Sequence, residues 1–598
     1  MYLQKVIFSY IDYVIPYTLI TMICTILGVL RGLMTPELLV YILETWLVNQ
    51  IGFIFVFLVA TLAMLLTGRI WVAVFGSAVL LGCGYYIQSL LYGLMSEWFR
   101  TYYMGWKTEW FSYLSPVYLI YKMRIKIFAL QDLGQFISSG FVGFLVLLIA
   151  ICIVLFFLNQ VVIKIRPSEK AGHSMAFAIP ARVIHILIST LLGLGIGYLS
   201  MSFVYANDIP WFFMGSVFGT ACMYFLIQFI YTLDIKKTFA YKWQIIAAEL
   251  AVLAVCAIFS FDVFGYDIYL PAQERLESVA IRYEDYNLHA NFYENDRYVD
   301  SNKYTMDRMF LEPDDRTYAF LDTIVHKKYT REDHEDIRNV YVYYRLENGL
   351  KETRVYQVPI EKFEEDFVHL FGQEDFLQAI YPTFLVDELF VRNIRLYYAG
   401  REVYLYDLME EADTGGDVSA EEAAAKRFLE GYNRDISSLD AATFVEEIPV
   451  AKVTFSLDDQ GRITTITLPV YEQCKETMSN MKSLGHDPIQ AVNAEQVDKI
   501  VIEDYSWDYK EESAEITVEE ELLYEKGQYP AYTITDQEDI RRILETSADD
   551  NYNSPWVELE QGYYIRVYMK DYEYGTQVSY NAMFLKNQVP ADILEAQN

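Results

Sequence analysis

Apolar residues in the first 262 positions do not alternate with polar ones at either the helical or the strand period. They run together. Seven runs, about 13–30, 46–66, 70–94, 137–163, 183–204, 210–232 and 243–261, are long enough to cross a hydrocarbon core, which takes about 20 residues as a helix. The first run follows Asp12 and contains Pro16, so its start is less sharply marked than the others. Met1 leads through Lys5 into a long apolar stretch with no small-residue cleavage site, which is not the pattern of a signal peptide.

After residue 262 the pattern changes to short alternating stretches rich in Tyr, Val and Ile. Val340–Leu346 runs into Glu347-Asn348-Gly349 and returns through Thr353–Tyr356, and Asn-Gly between alternating runs is the strongest short hairpin signal. Ala451–Phe455 with Ile463–Leu468, and Tyr563–Met569 with Gln577–Phe584, read the same way. Val358-Pro359, Leu468-Pro469 and Val589-Pro590 close the second strands, because proline ends a central strand and suits a helix start. Helical segments follow at Ile360–Phe371, Tyr471–Leu484 and Ala591–Ala596. Others precede the hairpins at Pro313–Lys328, Ala420–Gly431 and Asp536–Thr546, the last with a capping box Thr535-x-x-Glu538. The expected fold is a polytopic α-helical membrane domain of about seven spans followed by an α+β region. That region divides into hairpin-plus-helix units near 277–372, 390–486 and 497–597, or into two units joined by a connector. Glu410–Glu422, with Gly415-Gly416, reads as an exposed loop.

Charge sharpens the division. The chain of 598 residues carries a net charge of −33. Residues 1–262 hold 15 Lys+Arg and 11 Asp+Glu, whereas residues 263–598 hold 32 and 69, a net of −37. Phosphate repels such a domain, so nucleic acid is excluded as its partner. Lys and Arg also predict orientation. Lys164, Arg166, Lys170 and Arg182 flank one link, and Lys236, Lys237 and Lys242 another; both links are expected on the cytoplasmic side. Counting spans then places the N-terminus inside, Arg69 inside, and the acidic domain outside the cytoplasm in a multi-pass cell-membrane protein. The 95–136 loop must lie outside despite Arg100, Lys107, Lys122, Arg124 and Lys126.

Within the runs, Gly193-x-Gly195-x-Gly197 and Gly215-x-x-x-Gly219 are small-residue seams that let helices approach, here the fifth span on the sixth. Glu249 is a carboxylate well inside a span, a functional candidate by type; snorkelling or pairing two turns from Lys242 is the plainer reading. No phosphate-binding GxxxxGK[ST], HExxH or GxSxG occurs, so neither an ATPase, a zincin nor a hydrolase is indicated, and no cofactor is expected. Cys24, Cys83, Cys152, Cys222 and Cys256 lie in runs, where a thiol is an apolar filler, and Cys474 stands alone in the acidic region. An outer domain without disulfides fits a bacterial host. Asp333-His334-Glu335-Asp336 resembles a metal cluster only in composition and reads as a solvated turn; Asp458 and Asp459 are turn formers, and the tyrosines suit half-exposed strand faces.

Three motifs in the membrane half resemble the ABC-2-type family of ABC transporter permeases, in the bacterial subgroup with extra spans and a C-terminal extracytoplasmic domain. They are Ala63-Met-Leu-Leu-Thr-Gly-Arg69, Tyr113-Leu-Ser-Pro116 and Arg166-Pro-Ser-Glu-Lys-Ala-Gly172. Tyr344-Arg-Leu-Glu-Asn-Gly-Leu-Lys-Glu-Thr-Arg-Val-Tyr356 resembles the uncharacterised C-terminal domain of those permeases. The resemblance implies a partial permease core over 1–166, three further spans over 167–262 and the outer domain over 263–598. Such permeases usually have six core spans and here four precede Arg166, so it also implies an N-terminus truncated by two spans. It implies an exporter-type transport subunit without enzymatic activity of its own. A separate cytoplasmic ABC ATPase subunit would bind the ATP, and a second permease subunit, like or unlike, would complete the complex in the lipid bilayer. Thr67, Gly68, Arg69, Arg166, Glu169 and Lys170 are then the candidates for contact with the ATPase; the plainer role of the basic ones is to set topology and meet anionic lipid. The alternative function is a polytopic sensor or binding protein whose acidic domain attracts a cationic ligand or an envelope stress signal.

Overall fold

In hydrocarbon a backbone N–H or C=O has no water to bond, so long apolar runs close their hydrogen bonds internally as helices. In the computed structural model seven helices among the described residues are long and apolar enough to cross a membrane: Gln4–Leu30, Leu38–Leu66, Ile70–Trp98, Leu145–Ile165, Arg182–Ser202, Ile209–Thr232 and Trp243–Ser260. The structure describes the chain outside residues 1, 104–110, 129–140, 167–175, 204–207, 233–241, 285–288, 295–296, 330–336, 386–389, 408–417, 460–461, 492, 506–529, 551–555, 557–558, 561, 574–575 and 596–598. Two units emerge, Met1–Asp267 and Ile268–Asn598.

The first unit contains helices α1 (Tyr2–Leu30), α2 (Pro36–Leu66), α3 (Ile70–Trp98), α4 (Pro116–Phe128), α5 (Phe141–Ile165), α6 (Ala178–Ser202), α7 (Asp208–Thr232) and α8 (Lys242–Ser260). α1 begins well before Asp12 and continues through Pro16, earlier than the apolar run suggests. One proline removes one intrahelical bond, which a long helix among neighbours tolerates. α2 starts at Pro36 behind Thr35, whose hydroxyl accepts from Leu38 N–H at 3.2 Å.

The 95–136 stretch is more than a loop. α4, with 13 residues, is too short to span, yet Leu119 and Met123 are buried with Val48, Phe55, Leu58, Val59, Leu148 and Cys152. Arg124 on α4 donates to Asn49 Oδ1 at 2.8 Å on α2. Three of the basic residues that the charge rule counted as loop, Lys122, Arg124 and Lys126, therefore sit on a helix packed into the bundle. Ahead of α4, Phe111 N–H donates to Gln88 Oε1 at 2.9 Å, and Ser115 donates to the Leu81 carbonyl. Gly84 admits this turn: a Cβ there would overlap the carbonyl of Phe111. The Tyr113–Pro116 motif is thus threaded against the middle of α3.

A second core joins α3, α6, α7 and α8 through Leu90, Leu94, Leu194, Met201, Phe212, Val252 and Cys256. The chain leaves α8 through Asp262, whose φ is +40° and whose carboxylate accepts from Tyr266 N–H at 2.6 Å and Asp267 N–H at 2.9 Å. Asp267 in turn accepts from Thr101 N–H at 3.1 Å and Thr101 Oγ1 at 2.9 Å, and Phe99 stacks on Tyr266 with ring centroids 4.6 Å apart. The exit from the last span is fastened to the end of α3.

The second unit is α+β with three antiparallel sheets. Its strands are β1 (Leu276–Tyr283), β2 (His289–Glu294), β3 (Arg297–Val299), β4 (Arg338–Leu346), β5 (Lys351–Val358), β6 (Phe390–Tyr398), β7 (Arg401–Asp407), β8 (Ala451–Asp459), β9 (Arg462–Val470), β10 (Val497–Asp504), β11 (Ala531–Ile534), β12 (Ser547–Asp549), β13 (Tyr563–Glu573) and β14 (Thr576–Phe584). The sheet orders are β1-β4-β5, β3-β2-β9-β8-β6-β7 and β11-β10-β13-β14-β12. The three hairpins read from the sequence are β4-β5, β8-β9 and β13-β14. Residues 289–299 depart from the expected first unit: β2 pairs with β9, Ala290 facing Ile466, and so belongs to the second sheet. Pro469 lies inside β9 rather than closing it. It is accommodated because β2 covers only Thr465–Thr467, which leaves β9 a single neighbour at Pro469.

Caps fix the helix ends. The third-unit helix, Gln537–Glu545, is capped by Asp536, which accepts from Glu538 and Asp539 N–H; the expected capping box at Thr535 is displaced by one residue because this carboxylate reaches the free amides. Lys475–Ser483 begins at Cys474, whose thiol makes no cap. Asp435, on the helix Val418–Ser438, supplies it from outside, accepting from Thr477 N–H at 2.7 Å, Thr477 Oγ1 at 2.7 Å and Glu476 N–H at 3.2 Å. Asp435→Ala is expected to lower the opening free energy of Lys475–Ser483 by about 2 kcal/mol. Hydrogen exchange on the full chain reads this directly, and unchanged protection of those amides would refute it.

Candidate functional site at the shared helix ends

The last four carbonyls of a helix have no intrahelical partner, and near a membrane they need one. α2 ends at Leu66 with Thr67 as its C-cap, and the cluster around it satisfies three carbonyls in turn. Thr67 Oγ1 donates back to Ala63 O at 2.9 Å, Ala176 N–H donates to Leu66 O at 2.9 Å, and Arg166 Nη2 donates to Thr67 O at 2.7 Å. Arg166 comes directly after α5, so the ends of α2 and α5 are tied by one guanidinium. Arg69, at the start of α3, donates through Nη1 to Tyr231 O at 3.2 Å in the last turn of α7. A cation at a helix C-terminus also meets the negative end of its dipole.

Thr67, Arg69 and Arg166 therefore converge, and Gly68 lies in the same link. Thr67 is 4% exposed, so its side chain is structural and inaccessible to a partner, whereas Gly68, Arg69 and Arg166 are half-buried. Glu169 and Lys170 lie outside the described residues. Tyr231 and Ala176 complete the cluster through backbone atoms. No sequence signal marks a carbonyl or an amide, which is why residue-type reasoning passes over them.

The glycine seam packs as a zip between α6 and α7. A Cβ on Gly193 would overlap Thr220, one on Gly197 would overlap Ser216 and sit 2.7 Å from Phe212 O, one on Gly215 would strike Ser200, and one on Gly219 would lie 2.7 Å from Ile196 Cβ. His185 is buried in the same interface, with Nε2 3.1 Å from Tyr224 O and its ring stacked on Tyr224 at 4.3 Å. Tyr86 on α3 donates to Leu191 O at 3.0 Å. Glu249 is half-buried on α8, and its Oε2 has no hydrogen-bond partner among the described residues; the Lys242 side chain lies outside them.

The second unit offers little reactive chemistry. Burial pushes the Cys474 thiol up to about 12, far from a reactive thiolate. Burial, with Arg401 adding to it, lowers the His486 pKa; Tyr398 Oη lies 3.0 Å from its Nδ1. No group of three or more His, Cys, Asp or Glu residues among those described could hold a metal ion. Asp333–Asp336 and most of Glu410–Glu422 lie outside the described residues.

Gly197→Leu is expected to destabilise the purified chain, because overpacking against Phe212 O and Ser216 costs about 1–3 kcal/mol or more. Gly82→Leu, where a Cβ meets nothing within 4 Å, is the control. Thermal unfolding in detergent should separate the two, and equal melting temperatures would contradict the seam.

Residues 344–482 match the family DUF6449, a domain of unknown function, and the match opens at Tyr344 in the middle of β4. No curated protein and no solved structure matches the chain.

Proposed function

We propose that this chain is the permease subunit of an exporter-type ABC transporter, driven by ATP hydrolysis on a separate cytoplasmic subunit. The convergence of Thr67, Arg69 and Arg166 on one cluster carries the reading. The resemblance names these positions from two links that are 99 residues apart in sequence, and a coupling surface has to draw on several helix ends at once. Pushing there moves α2 with α5 and α3 with α7, because one guanidinium ties α2 to α5 and another ties α3 to α7. The mechanism is mechanical: an ATPase that changes shape against Arg69, Gly68 and Arg166 shifts tied helices between two arrangements. A second permease subunit, like or unlike, completes the pathway. The cluster faces the cytoplasm, and the second unit lies on the other side of the membrane.

Two measurements test this. An ABC ATPase subunit is expected to co-purify with the tagged chain from native membranes, and Arg69→Glu and Arg166→Glu should each reduce its recovery about tenfold or more, the scale of a reversed interfacial charge. Recovery unchanged in both variants, with the chain itself intact, would sink the coupling assignment. Protease added to right-side-out vesicles should remove the second unit; removal only from inside-out vesicles would reverse the topology.

A further inference from the structure

Between α2, α3, α6 and α7 lies a cavity of about 490 Å³ with an almost wholly apolar lining. It begins beside Thr67, Val72, Ile184 and Tyr231 and extends along α3 to Ile87. From Val72 to Ile87 α3 rises about 22 Å at about 1.5 Å per residue, the reach of a long acyl chain. Its inner wall is closed, with Ala63 2%, Thr67 4% and Val72 4% exposed. Phe75, Leu187 and Leu226 line it and are exposed, so it opens toward the surface that a bilayer covers.

The closed end is where the arginines gather. Arg69 bonds the carbonyl of Tyr231 and Arg166 bonds the carbonyl of Thr67, and both carbonyls belong to lining residues. Arg69 and Arg166 thus stand at one end of the slot, each on a carbonyl of its wall. A chain-length apolar slot with two guanidinium groups at one end is complementary to an amphiphile with an anionic head.

We propose that this cavity binds one phospholipid with an anionic headgroup, its acyl chain between α3 and α6–α7 and its phosphate at Arg69 and Arg166. This does not rest on the transport reading: lipid retention and ATPase co-purification are separate measurements, and either can fail alone. The bound lipid fills space that protein atoms leave empty, and it makes the tie between α3 and α7 depend on membrane composition.

The test uses the full chain in detergent, exposed to micelles of equal phosphatidylglycerol and phosphatidylcholine and read by native mass spectrometry. Phosphatidylglycerol should be retained about tenfold over phosphatidylcholine, the scale of one charge-assisted contact. Gly76→Phe fills the slot, since a Cβ there meets only Ala63 Cβ at 3.9 Å, and should lower phosphatidylglycerol retention about tenfold. Arg69→Gln and Arg166→Gln keep an amide donor for the carbonyls but remove the charge, and should erase the preference between headgroups. Leu250→Trp, on the exposed face of α8 outside the slot, should retain lipid as the parent chain does. Equal retention of the two lipids by the parent chain, or retention indifferent to Gly76→Phe, overturns the proposal. So does a disulfide-linked dimer formed in membranes by Leu187→Cys and not by the parent chain, because a second copy would then occupy the slot.

Discussion

The membrane unit depends on satisfying carbonyl oxygens where helices stop. A helix end in a low-dielectric surrounding cannot leave them bare, and at the end of α2 neighbouring chain segments supply the donors. Arg166 answers for Thr67, Ala176 for Leu66, and Arg69 answers for Tyr231 at the end of α7. Arg166 and Ala176 come from the link between α5 and α6, and Arg69 from the start of α3. The requirement to cap one helix thereby fixes the position of the next. Removing one of these side chains would leave a carbonyl without its partner and also release a junction between helices. The atoms to which the proposal assigns coupling thus already have a structural role in capping helices.

Packing within the unit is uneven, and the unevenness has a cause. Between α6 and α7, glycines at 193, 197, 215 and 219 bring backbones together until Thr220, Ser216, Ser200 and Ile196 fill the space a Cβ would need. Helices in lipid gain little from the hydrophobic effect on each other, so this close approach is what holds them. Between α3 and the α6–α7 pair no such close approach occurs along one stretch, and the gap lined by Phe75, Leu187 and Leu226 is the cavity. Tyr86, reaching Leu191 O, bridges α3 and α6. The second unit solves a different problem. It has water on its surface and a high acidic charge, and it relies on buried carboxylates such as Asp435 to finish helix ends that lie beside thiols and apolar residues.

Much of this was legible in the residues. Hydrocarbon thickness sets a length that a one-dimensional run must meet, so the spans could be counted from the chain. Two-residue periodicity, with Asn348-Gly349 between the runs of the first, located hairpins β4-β5 and β8-β9 for the same local reason, although Asp458 and Asp459, read as turn formers, pair inside β8. Three features were not legible. α4 reads as loop because its apolar face is short and interrupted by Lys122 and Arg124, and only the surface of α2 makes it a buried helix. β2 is too short to declare its partner, which lies far away in sequence at β9. The cap at Asp536 instead of Thr535 turns on which oxygen reaches the first free amides, a matter of backbone angle.

The sequence by itself determined the division into an apolar body and an acidic one, the number of spans and the hairpins. All of these rest on interactions between near neighbours or on transfer from water to an apolar phase, and both are properties of residue type. The tertiary structure alone decided that Arg166 meets Thr67, that Arg69 meets Tyr231 across 162 positions, and that both of those carbonyl-bearing residues line one apolar slot. Such contacts are made to backbone carbonyls, which every residue carries. They have no signature in the chain until folding brings one particular carbonyl within reach of one particular donor.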